Sequence, residues 1–432
     1  QALGMRASTS VESAVLLRWA SQELKDVLKS QRIASVVGPR QCGKTTLVES
    51  CGLENSVYYS LDLESNLQAA LQDPGFLISQ YRSRCLILDE IQKAPILIGE
   101  IKYAVDHDHR CGQFVLTGSS DYRRLPHANE SLAGRVDFVR LRTFSSAERM
   151  GAKPTFLKRM FERDFSGAYA AETTGKRFAV SEALTGGYPR IFQQPDLQTR
   201  ARWFRSYLEQ QVILDMKEQW SIRREDILEQ LFPYLAANSS KLCNASEMAK
   251  QLGANWQTLS RYVDVLKAMF VVEELPAWSR KDYDRPGKTP KFFMTDTGLM
   301  SHILGKYDLD AVLEDVSYQG TDFVGKLIET WVYNQLMPEI DLQPMWQMSH
   351  LRSGDREIDF VVTNENGAIL GIEVKASQSV STDDFKHLQW FKDKILRPEV
   401  PYTGIVLYAG NAVRSFGNGC FAVPFTLMWG DN

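Results

Sequence analysis

The chain lacks long apolar runs, cysteines at metal-binding spacing and a large excess of either charge. No stretch approaches the roughly 18 apolar residues that a membrane-spanning helix needs, and the start has no basic-then-apolar signal layout. The 6 cysteines include no C-x-x-C pair, which predicts reduced thiols and no structural zinc. We therefore expect a cytoplasmic protein without membrane segments.

Charge and composition narrow the class of protein further. Lys plus Arg number 50 and Asp plus Glu number 53, which gives a formal net charge of -3 at pH 7. This balance provides no overall attraction to nucleic acid, so any nucleic-acid binding needs a local basic patch. With 44% hydrophobic and 24% charged residues, the 432 residues are typical of a globular protein with roughly two to four domains.

Short apolar runs alternate with helix-length segments in the first third of the chain. This alternation predicts a parallel sheet covered by helices on both faces, and thus an α/β fold. A helix is expected at 11–28 and another from Lys44 onward. The predicted strands are residues 33–37, 57–61, 85–88 and 114–117.

The middle of the chain is predicted to be helical. Residues 145–237 hold charged, helix-spaced segments, interrupted at 186–189. Two short amphipathic helices follow around Gly253, and the second begins after Asn255 as its N-cap. These two helices predict a helix-turn-helix. Candidate strands at 271–275 and 291–294 would form a two-stranded wing beside it.

The last quarter alternates again between helices and strands. We expect a helix at 323–336, a hairpin of 357–362 with 369–375, a helix at 383–392 and a strand at 405–408. The chain as a whole is therefore predicted to be α/β with four domains. Their predicted bounds are 1–146 for the α/β core, 147–236 for a helical lid, 237–305 for a winged helix and 306–432 for a C-terminal α/β domain.

Residues 38–45 form a candidate phosphate-binding loop. Their sequence, Gly-Pro-Arg-Gln-Cys-Gly-Lys-Thr, satisfies G-x-x-x-x-G-K-[ST] and lies between a predicted strand and a predicted helix. Backbone N–H groups would face phosphate oxygens, Lys44 would reach the β and γ phosphates of ATP, and Thr45 would ligate Mg²⁺. A chance Gly-Lys-Thr turn is the alternative. The expected ATP-binding residues are Gly38, Pro39, Gln41, Cys42, Gly43, Lys44, Thr45 and Thr46.

Two acidic residues follow the predicted strand at 85–88. Asp89 would emerge at the carboxyl end of that strand, where open α/β sheets bind ligands, and we expect it to hold Mg²⁺ through water. Glu90 is then the candidate base that polarises the attacking water. The alternative is an acidic strand end that only caps a helix.

Two more residues are candidates for catalysis. Thr117 ends another strand and would orient the water or sense the γ phosphate, unless it belongs to an ordinary strand-to-loop turn. Arg135 is a candidate arginine finger that would act in trans across a subunit interface, and a solvated surface arginine is the competing interpretation. The rival arginines are Arg123, Arg124 and Arg140.

Four residues near the C-terminus form a second candidate site. Asp359 and the triplet Glu373-Val374-Lys375 fit a D…E-x-K pattern, and Glu329 in the preceding helix adds a third acid. Because strand side chains alternate, Glu373 and Lys375 share one face, which Asp359 on the neighbouring strand can share. Two carboxylates and a strand carbonyl could hold a divalent cation, with Lys375 activating water. The alternatives are a solvated hairpin and a nuclease-like domain that only binds.

Together these motifs resemble the AAA-superfamily P-loop ATPases that carry a C-terminal module of unknown function. The resemblance implies an AAA-type ATPase core, a helical lid, a winged helix and a C-terminal restriction-endonuclease-like domain, usually in an oligomer. One departure is Trp346-Gln347, where the family often has Trp-Arg. The matching segments are 38–45, 88–92, 116–120, 132–135, 186–189 and 292–299, together with the C-terminal acids.

A basic segment before the second candidate wing strand indicates a partner. Residues 279–291 hold five basic residues against two acids, so they would contact the phosphate backbone of DNA, unless they form a solvated loop. The leading hypothesis is a homo-oligomeric ATPase, which could form a ring, that uses ATP and Mg²⁺ to remodel or translocate DNA such as junctions. One rival is an ATP-regulated endonuclease, and another is a nucleotide-controlled switch that binds a protein partner.

Overall fold

Three sheets organise the described part of the chain. The computed structural model describes residues 16–118, 132–167, 174–192, 196–218, 220, 222, 224–279 and 289–430. Within those ranges one sheet has five strands, another six and a third two. The α/β fold class is confirmed, with a parallel sheet in the first part and a separate mixed sheet in the last. The four domain bounds stay predictions.

The first sheet is parallel throughout. Its strands are β1 (Ile33–Val37), β2 (Ser56–Ser60), β3 (Cys85–Asp89), β4 (Phe114–Gly118) and β5 (Val136–Arg140). Their order across the sheet is β2-β3-β4-β1-β5. Every residue of β1, β3 and β4 is buried, which explains why these strands are mostly apolar. Alternate residues pack into two cores, with Leu86 and Leu116 on one face and Ile87 and Val115 on the other.

Helices cover both faces of this sheet. They are α1 (Ala20–Ser30), α2 (Lys44–Ser50), α3 (Glu64–Gln72), α4 (Pro74–Gln80) and α5 (Leu97–His107). Leu24 of α1 belongs to one core and Ile101 of α5 to the other. The four predicted strands are confirmed, and β5 is a fifth that the sequence did not indicate, because it is an edge strand with mixed burial. Residues 11–15 of the predicted first helix lie outside the described residues.

The segment that follows is helical, as predicted. Its helices are α6 (Ser146–Arg149), α7 (Phe156–Glu162), α8 (Gly175–Thr185), α9 (Pro189–Phe192), α10 (Leu197–Tyr207), α11 (Leu214–Glu218) and α12 (Glu225–Ala237). The predicted interruption at 186–189 separates α8 from α9. Side chains such as Leu157, Val180 and Leu231 share one hydrophobic core with the rest of the chain that follows.

Two helices and a two-stranded sheet come next, and we call them the helix-pair unit. They are α13 (Ala245–Gln251), α14 (Trp256–Ala268), β6 (Val272–Leu275) and β7 (Lys291–Met294). The Asn255 side chain accepts the Thr258 N–H at 2.8 Å, so the predicted N-cap is confirmed. The strands β6 and β7 are antiparallel. Residues 280–288 of the basic segment lie outside the described residues, and the winged-helix assignment stays a prediction.

The last part of the chain, which we call the C-terminal unit, contains the six-stranded mixed sheet. Its helices are α15 (Thr297–Ile303), α16 (Leu309–Glu314), α17 (Tyr318–Asp341) and α18 (Lys386–Trp390). Its strands are β8 (Gln347–Ser353), β9 (Arg356–Thr363), β10 (Ile369–Lys375), β11 (Tyr402–Tyr408), β12 (Arg414–Ser415) and β13 (Cys420–Pro424). They are ordered β12-β13-β11-β10-β9-β8.

The predicted hairpin of this unit is confirmed, since β9 and β10 pair antiparallel with Phe360 opposite Ile372. Helix α17 has 24 residues and extends past the predicted end at 336 with Pro338 inside it. A restriction-endonuclease-like fold for this unit stays a prediction. No helix in the described ranges is both long and apolar enough to cross a membrane.

The glycine turn after α8 packs against the first turn of α15, where the helical segment meets the C-terminal unit. Asp296 accepts the Gly187 N–H at 2.7 Å and caps α15 through the Leu299 N–H at 2.9 Å. Burial raises the pKa of the Asp296 carboxyl to about 6. A Cβ on Gly298 would lie 2.4 Å from the Thr185 carbonyl oxygen. Segments 186–189 and 292–299 therefore have a packing role, because only glycine lets α8 and α15 approach so closely.

Candidate functional site

The candidate phosphate loop curls between the end of β1 and the first turn of α2. Gly43 has φ 103° and Gln41 has φ 60°, so both adopt the left-handed backbone that lets the loop close. A Cβ on Gly38 would lie 2.0 Å from the Leu141 carbonyl oxygen, which leaves room only for glycine. The buried Cys42 thiol donates to the same carbonyl at 3.4 Å. A loop of this shape at the start of a helix is suited to binding phosphate.

Lys44 is buried inside this loop. The residue is 6% exposed, and its Nζ donates hydrogen bonds of 2.9 Å to the carbonyl oxygens of both Gly38 and Pro39. Thr45 is half-buried and Thr46 exposed, both in the first turn of α2. The predicted loop residues thus lie together, and their role in binding ATP stays a prediction.

Three hydroxyl groups converge on the Asp89 carboxylate at the end of β3. The hydroxyls of Thr45 and Tyr58 donate to Oδ2 at 3.0 Å and 2.5 Å, and the Thr117 hydroxyl donates to Oδ1. Asp89 is 3% exposed. Burial, and then the hydrogen bond to Asp89, raises the pKa of the Tyr58 phenol. Thr45 and Asp89 place two oxygen atoms side by side, which fits the oxygen ligands that Mg²⁺ prefers.

Glu90 follows directly and has an unusual backbone conformation. Its φ is 61°, in the left-handed region that few residues other than glycine adopt. Its N–H donates to the Thr117 hydroxyl at 3.2 Å, and its carboxylate accepts from the Gln92 side-chain amide. Backbone of this kind is often found at functional sites, so the conformation is compatible with the predicted base.

Arg135 lies at the end of the sheet where the strands begin, whereas the phosphate loop lies where β1 ends. It precedes β5, whose first residue Val136 is paired with Ile33 at the start of β1, whereas the loop follows the end of β1. Its guanidinium contacts the two Asp106 carboxylate oxygens at 2.5 Å and 3.0 Å. The arginine-finger role stays a prediction for a contact between subunits, and the rivals Arg123 and Arg124 lie outside the described residues.

Two arginine contacts hold the phosphate loop, and the sequence indicated neither. Arg18 donates to the Cys42 carbonyl oxygen at 3.1 Å and forms a buried ion pair with Glu148 at 3.1 Å. Arg40, inside the loop, donates to Asp215 of α11 at 2.9 Å. The first contact spans 24 residues of sequence and the last spans 175, so no local pattern connects them. The loop is thereby attached to the helical segment.

Arg142, two residues after β5, joins the first sheet to both later units. Its guanidinium donates to the two Glu273 oxygens at 3.0 Å and 2.8 Å, and to the Asp341 carboxylate at 2.5 Å and 3.3 Å. Glu273 lies in β6 and Asp341 ends α17. Tyr333 donates its hydroxyl to Glu273 at 2.5 Å, and Arg140 contacts the same carboxylate. One buried guanidinium thus connects three parts of the chain.

Two acids of the second candidate site, Glu329 and Asp359, face Lys291, the last residue of the predicted basic segment. Its expected contact with DNA is wrong, because Lys291 is buried among acids. Lys291 Nζ lies 2.7 Å from Glu329 Oε1 and 3.5 Å from Asp359 Oδ1. A further acid, Glu357, lies 2.7 Å from the same nitrogen. Glu373 is buried beside them. Burial and the Asp359 charge raise its pKa, and the charges of Lys375 and Lys291 oppose that rise. The structure therefore brings the three predicted acids together, and two of them, Glu329 and Asp359, contact an ammonium group.

Burial makes two of these acids, Glu329 and Glu373, weaker than usual. Burial, and then the Asp359 charge, raises the pKa of the Glu329 carboxyl to about 7 and that of Glu373 well above its usual range. Lys375 contacts Asp384 at 3.5 Å, and its side chain is 40% exposed. In the part of the chain that the structure describes, no group of three or more His, Cys, Asp or Glu side chains could hold a metal ion. The nuclease role of Glu329, Asp359, Glu373 and Lys375 stays a prediction.

Three family models match separate parts of the chain. The AAA domain model matches residues 30–150. Domain of unknown function DUF8612 matches residues 180–310, and domain of unknown function DUF4143 matches residues 324–428. The AAA match covers the phosphate loop and the Asp89 strand. With the geometry above, it makes the first part of the chain a P-loop ATPase unit of the AAA type.

Two mycobacterial proteins are similar to most of the chain. Uncharacterized protein Rv2008c of Mycobacterium tuberculosis and Uncharacterized protein Mb2031c of Mycobacterium bovis are each 26% identical over 378 residues, which is 87% of this chain and 78% of the relative. They support a shared organisation that extends beyond the ATPase unit.

Solved structures resemble the chain in part. The Walker-type ATPase PABY2304 of Pyrococcus abyssi is 15% identical, with a TM-score of 0.42 over 67% of this chain and 96% of that one. AMPPCP-bound DnaA from Aquifex aeolicus is 14% identical, with a TM-score of 0.29 over 57% of this chain and 86% of that one. At these TM-scores neither structure bears on the function of this chain.

Proposed function

We propose that this chain is a Mg²⁺-dependent ATP hydrolase that works as a homo-oligomer and uses ATP turnover to remodel or translocate DNA, such as junctions or branched DNA. The observation that carries the proposal is the convergence of Thr45 and Thr117 on Asp89 beside the phosphate loop, with Glu90 directly after it. Hydrolysis of a nucleoside triphosphate requires these parts: a phosphate cradle, oxygen ligands for the metal and a carboxylate for the water.

Each residue has a separate task in this mechanism. Lys44 would exchange its loop carbonyl partners for the β and γ phosphates, and Thr45 and Asp89 are the residues that would hold Mg²⁺. Bound Mg²⁺ supplies positive charge that stabilises the phosphate oxygens. Glu90 orients a water molecule and accepts its proton. Thr117 keeps Glu90 in place, because its hydroxyl accepts the Glu90 N–H at 3.2 Å while it donates to Asp89.

Arg135 supports the oligomeric part of the proposal. Its position at the start of β5, away from the loop at the end of β1, suits an arginine that serves the phosphates of a neighbouring subunit. The contact with Asp106 holds the guanidinium in a fixed orientation, and this pair opens when the arginine binds phosphate. An arginine finger stabilises the charge of the transition state, so each site would be complete only in the oligomer.

Mixing subunits tests this arrangement. Arg135→Ala and Glu90→Gln proteins should each hydrolyse ATP at least roughly 100-fold more slowly than the parent. An equimolar mixture should regain activity, because some interfaces then join an intact Glu90 to an intact Arg135 of the neighbour. Phosphate release measures the rates, and Arg177→Ala, which removes an exposed arginine paired with Asp310, is the control. A mixture as inactive as its components would refute the trans role.

DNA is the proposed substrate because of the helix-pair unit. Helix α14 exposes Trp256, Gln257 and Arg261. An arginine and an amide can contact phosphates and base edges, and an aromatic ring can stack on an unpaired base. Residues 279–290 of the basic segment, which lie mostly outside the described residues, add charge before β7. Together these residues are a local patch of the kind that a chain of net charge -3 needs. Lys291 does not add to this patch, because it is buried against three acids.

ATP turnover in the presence of single-stranded, duplex and junction DNA tests the DNA role. One of these forms should raise turnover above the DNA-free rate, and the stimulation should weaken as salt rises because phosphate contacts release counterions. Glu90→Gln should abolish turnover with and without DNA but leave DNA binding intact. If no form binds at low salt or stimulates turnover, the DNA role is wrong, while the ATPase assignment is unaffected.

A nucleotide-controlled switch that binds a protein partner is the second candidate function. On the exposed face of α14, Arg261 and Asp264 carry opposite charges, so this face is not strongly basic, and helix pairs with a wing also bind proteins. In that case ATP binding would control the partner, and partner binding would survive in Glu90→Gln. A switch would still respond to ATP in Glu90→Gln, whereas a motor, which needs turnover, would lose DNA remodelling in the same variant.

A further inference from the structure

Lys291 belongs to the helix-pair unit by its backbone. It is the first residue of β7 and lies opposite Leu275 of β6. On either side of it, the Phe292 N–H donates to the Lys241 carbonyl at 3.0 Å and the Pro290 carbonyl accepts the Cys243 N–H at 2.9 Å. The strand that carries Lys291 is therefore held by main-chain hydrogen bonds to β6 and to the residues just before α13.

The side chain of Lys291 enters the C-terminal unit. The residue is fully buried, and Nζ lies 2.7 Å from both Glu329 Oε1 and Glu357 Oε1 and 3.5 Å from Asp359 Oδ1. Glu329 comes from α17, whereas Glu357 and Asp359 come from β9. One ammonium group thus joins a strand of one unit to a helix and a strand of the other.

Charge explains why the lysine is held there. A buried ammonium is costly unless anions surround it, and removing one partner of a buried pair leaves the other uncompensated. Burial opposes the charge on Lys291, but Glu329, Asp359 and Glu357 together raise the pKa of its ammonium above the usual value. The acids in turn need a cation, since Glu329 and Asp359 lie close enough to repel each other.

The cluster also has acid beyond what Lys291 neutralises. Glu373 is 8% exposed, and its Oε1 has no hydrogen-bond partner. The group closest to it in the ion pairs of the described residues is His387 Nδ1, at 3.8 Å. A divalent cation would compete for these oxygens, and it cannot occupy the position of an ammonium that is 2.7 Å from two of the carboxylates.

We propose that the acid cluster of Glu329, Glu357 and Asp359 is a binding site for a primary ammonium group, that of the chain's own Lys291, which latches the helix-pair unit to the C-terminal unit and excludes divalent cations while it is inserted. The inference is independent of the ATPase and DNA roles proposed above. The acids then have a partner within the chain. Lys291 must leave the cluster before a metal ion can act at these residues.

Amine labelling of the full parent chain tests whether the latch is closed in solution. An N-hydroxysuccinimide ester should acylate Lys291 at least roughly tenfold more slowly than Lys375, because the buried ammonium is held charged and out of solvent. Lys375 is the matched internal control, since its side chain is 40% exposed and faces Asp384 alone among the ion pairs of the described residues. Mass spectrometry of the peptides gives both rates. Equal rates would overturn the proposal.

Chemical rescue tests the ligand class. The Lys291→Ala chain should melt at a lower temperature than the parent, and n-butylammonium or Mn²⁺ should each raise its melting temperature by several degrees, whereas n-butanol should not. The parent should show no gain from n-butylammonium, and Lys291→Ala with Asp359→Asn should lose the Mn²⁺ response. If neither cation stabilises Lys291→Ala more than the parent, the site does not bind cations and the proposal fails. Labelling uses the parent, so it decides the position of the ammonium even where Lys291→Ala is too unstable to purify.

Discussion

Replacing Lys44 with methionine is expected to lower ATP turnover by roughly 100- to 1,000-fold, because the variant loses the ammonium that faces the phosphate charge during hydrolysis. Lys44 is 6% exposed and bonded to the loop carbonyls. Methionine keeps most of the side-chain length and fits irregular space, so the loop should stay packed. Phosphate release at saturating Mg²⁺ and ATP measures the effect.

Two controls separate loss of chemistry from loss of structure. Lys29→Met removes a lysine that is 70% exposed and paired with Asp26 within α1, and its turnover should equal that of the parent. Glu90→Gln should lose hydrolysis but keep binding of a fluorescent ATP analogue, because the base acts only in the chemical step. A Lys44→Met protein that hydrolyses ATP at the parent rate would show that residues 38–45 are not the phosphate loop.

Replacing Arg142 with methionine is expected to lower the free energy of unfolding by about 3–5 kcal/mol, the range for breaking a buried ion pair from one side. The variant leaves the Asp341 carboxylate without the guanidinium that donates to it at 2.5 Å and 3.3 Å. Glu273 keeps its contacts with Arg140 and Tyr333, so Asp341 is the main source of the loss. Urea denaturation measures the change.

Arg177→Met is the matched control for this substitution. Arg177 pairs with Asp310, but the two side chains are 65% and 68% exposed, so solvent screens the pair and the urea midpoint should not move measurably. Combining Arg142→Met with Asp341→Asn should destabilise the chain less than the sum of the single changes, since the double variant buries no unpaired carboxylate. A parent-like midpoint for Arg142→Met would show that the junction does not hold the units together.

Much of the fold was predictable because the first sheet is buried on both faces. Strands such as β1, β3 and β4 are buried along their whole length and are mostly apolar, and this leaves short apolar runs that the sequence shows directly. Strand β5 pairs with β1 alone, and its residues are only partly buried. Its apolar residues are interrupted by Asp137, so the sequence did not predict this strand. Helix α17 was predicted too short because Pro338 normally ends a helix.

Those parts of the candidate ATP site that are contiguous in the sequence were predictable. Gly38 to Thr45 and Asp89 to Glu90 are short segments whose chemistry depends on local order, so their pattern is visible without a structure. Tyr58 was missed, since its hydroxyl reaches Asp89 from a neighbouring strand 31 residues away. The only sequence feature that could have indicated Tyr58 is that it is a tyrosine in β2, the strand that pairs with β3. Tyr59 lies in the same strand, so this feature does not single out Tyr58.

The sequence by itself determined the parallel sheet, the phosphate loop and the alternation that puts Glu373 on the side of Asp359, because each depends on neighbours in the chain or on strand period. Only the tertiary structure decided that Asp359 and Glu329 face Lys291. Lys375, adjacent in sequence, contacts Asp384, whereas Lys291 reaches Glu329 across 38 residues. A buried charge is placed by whichever opposite charge packing brings near, and no local pattern records that choice.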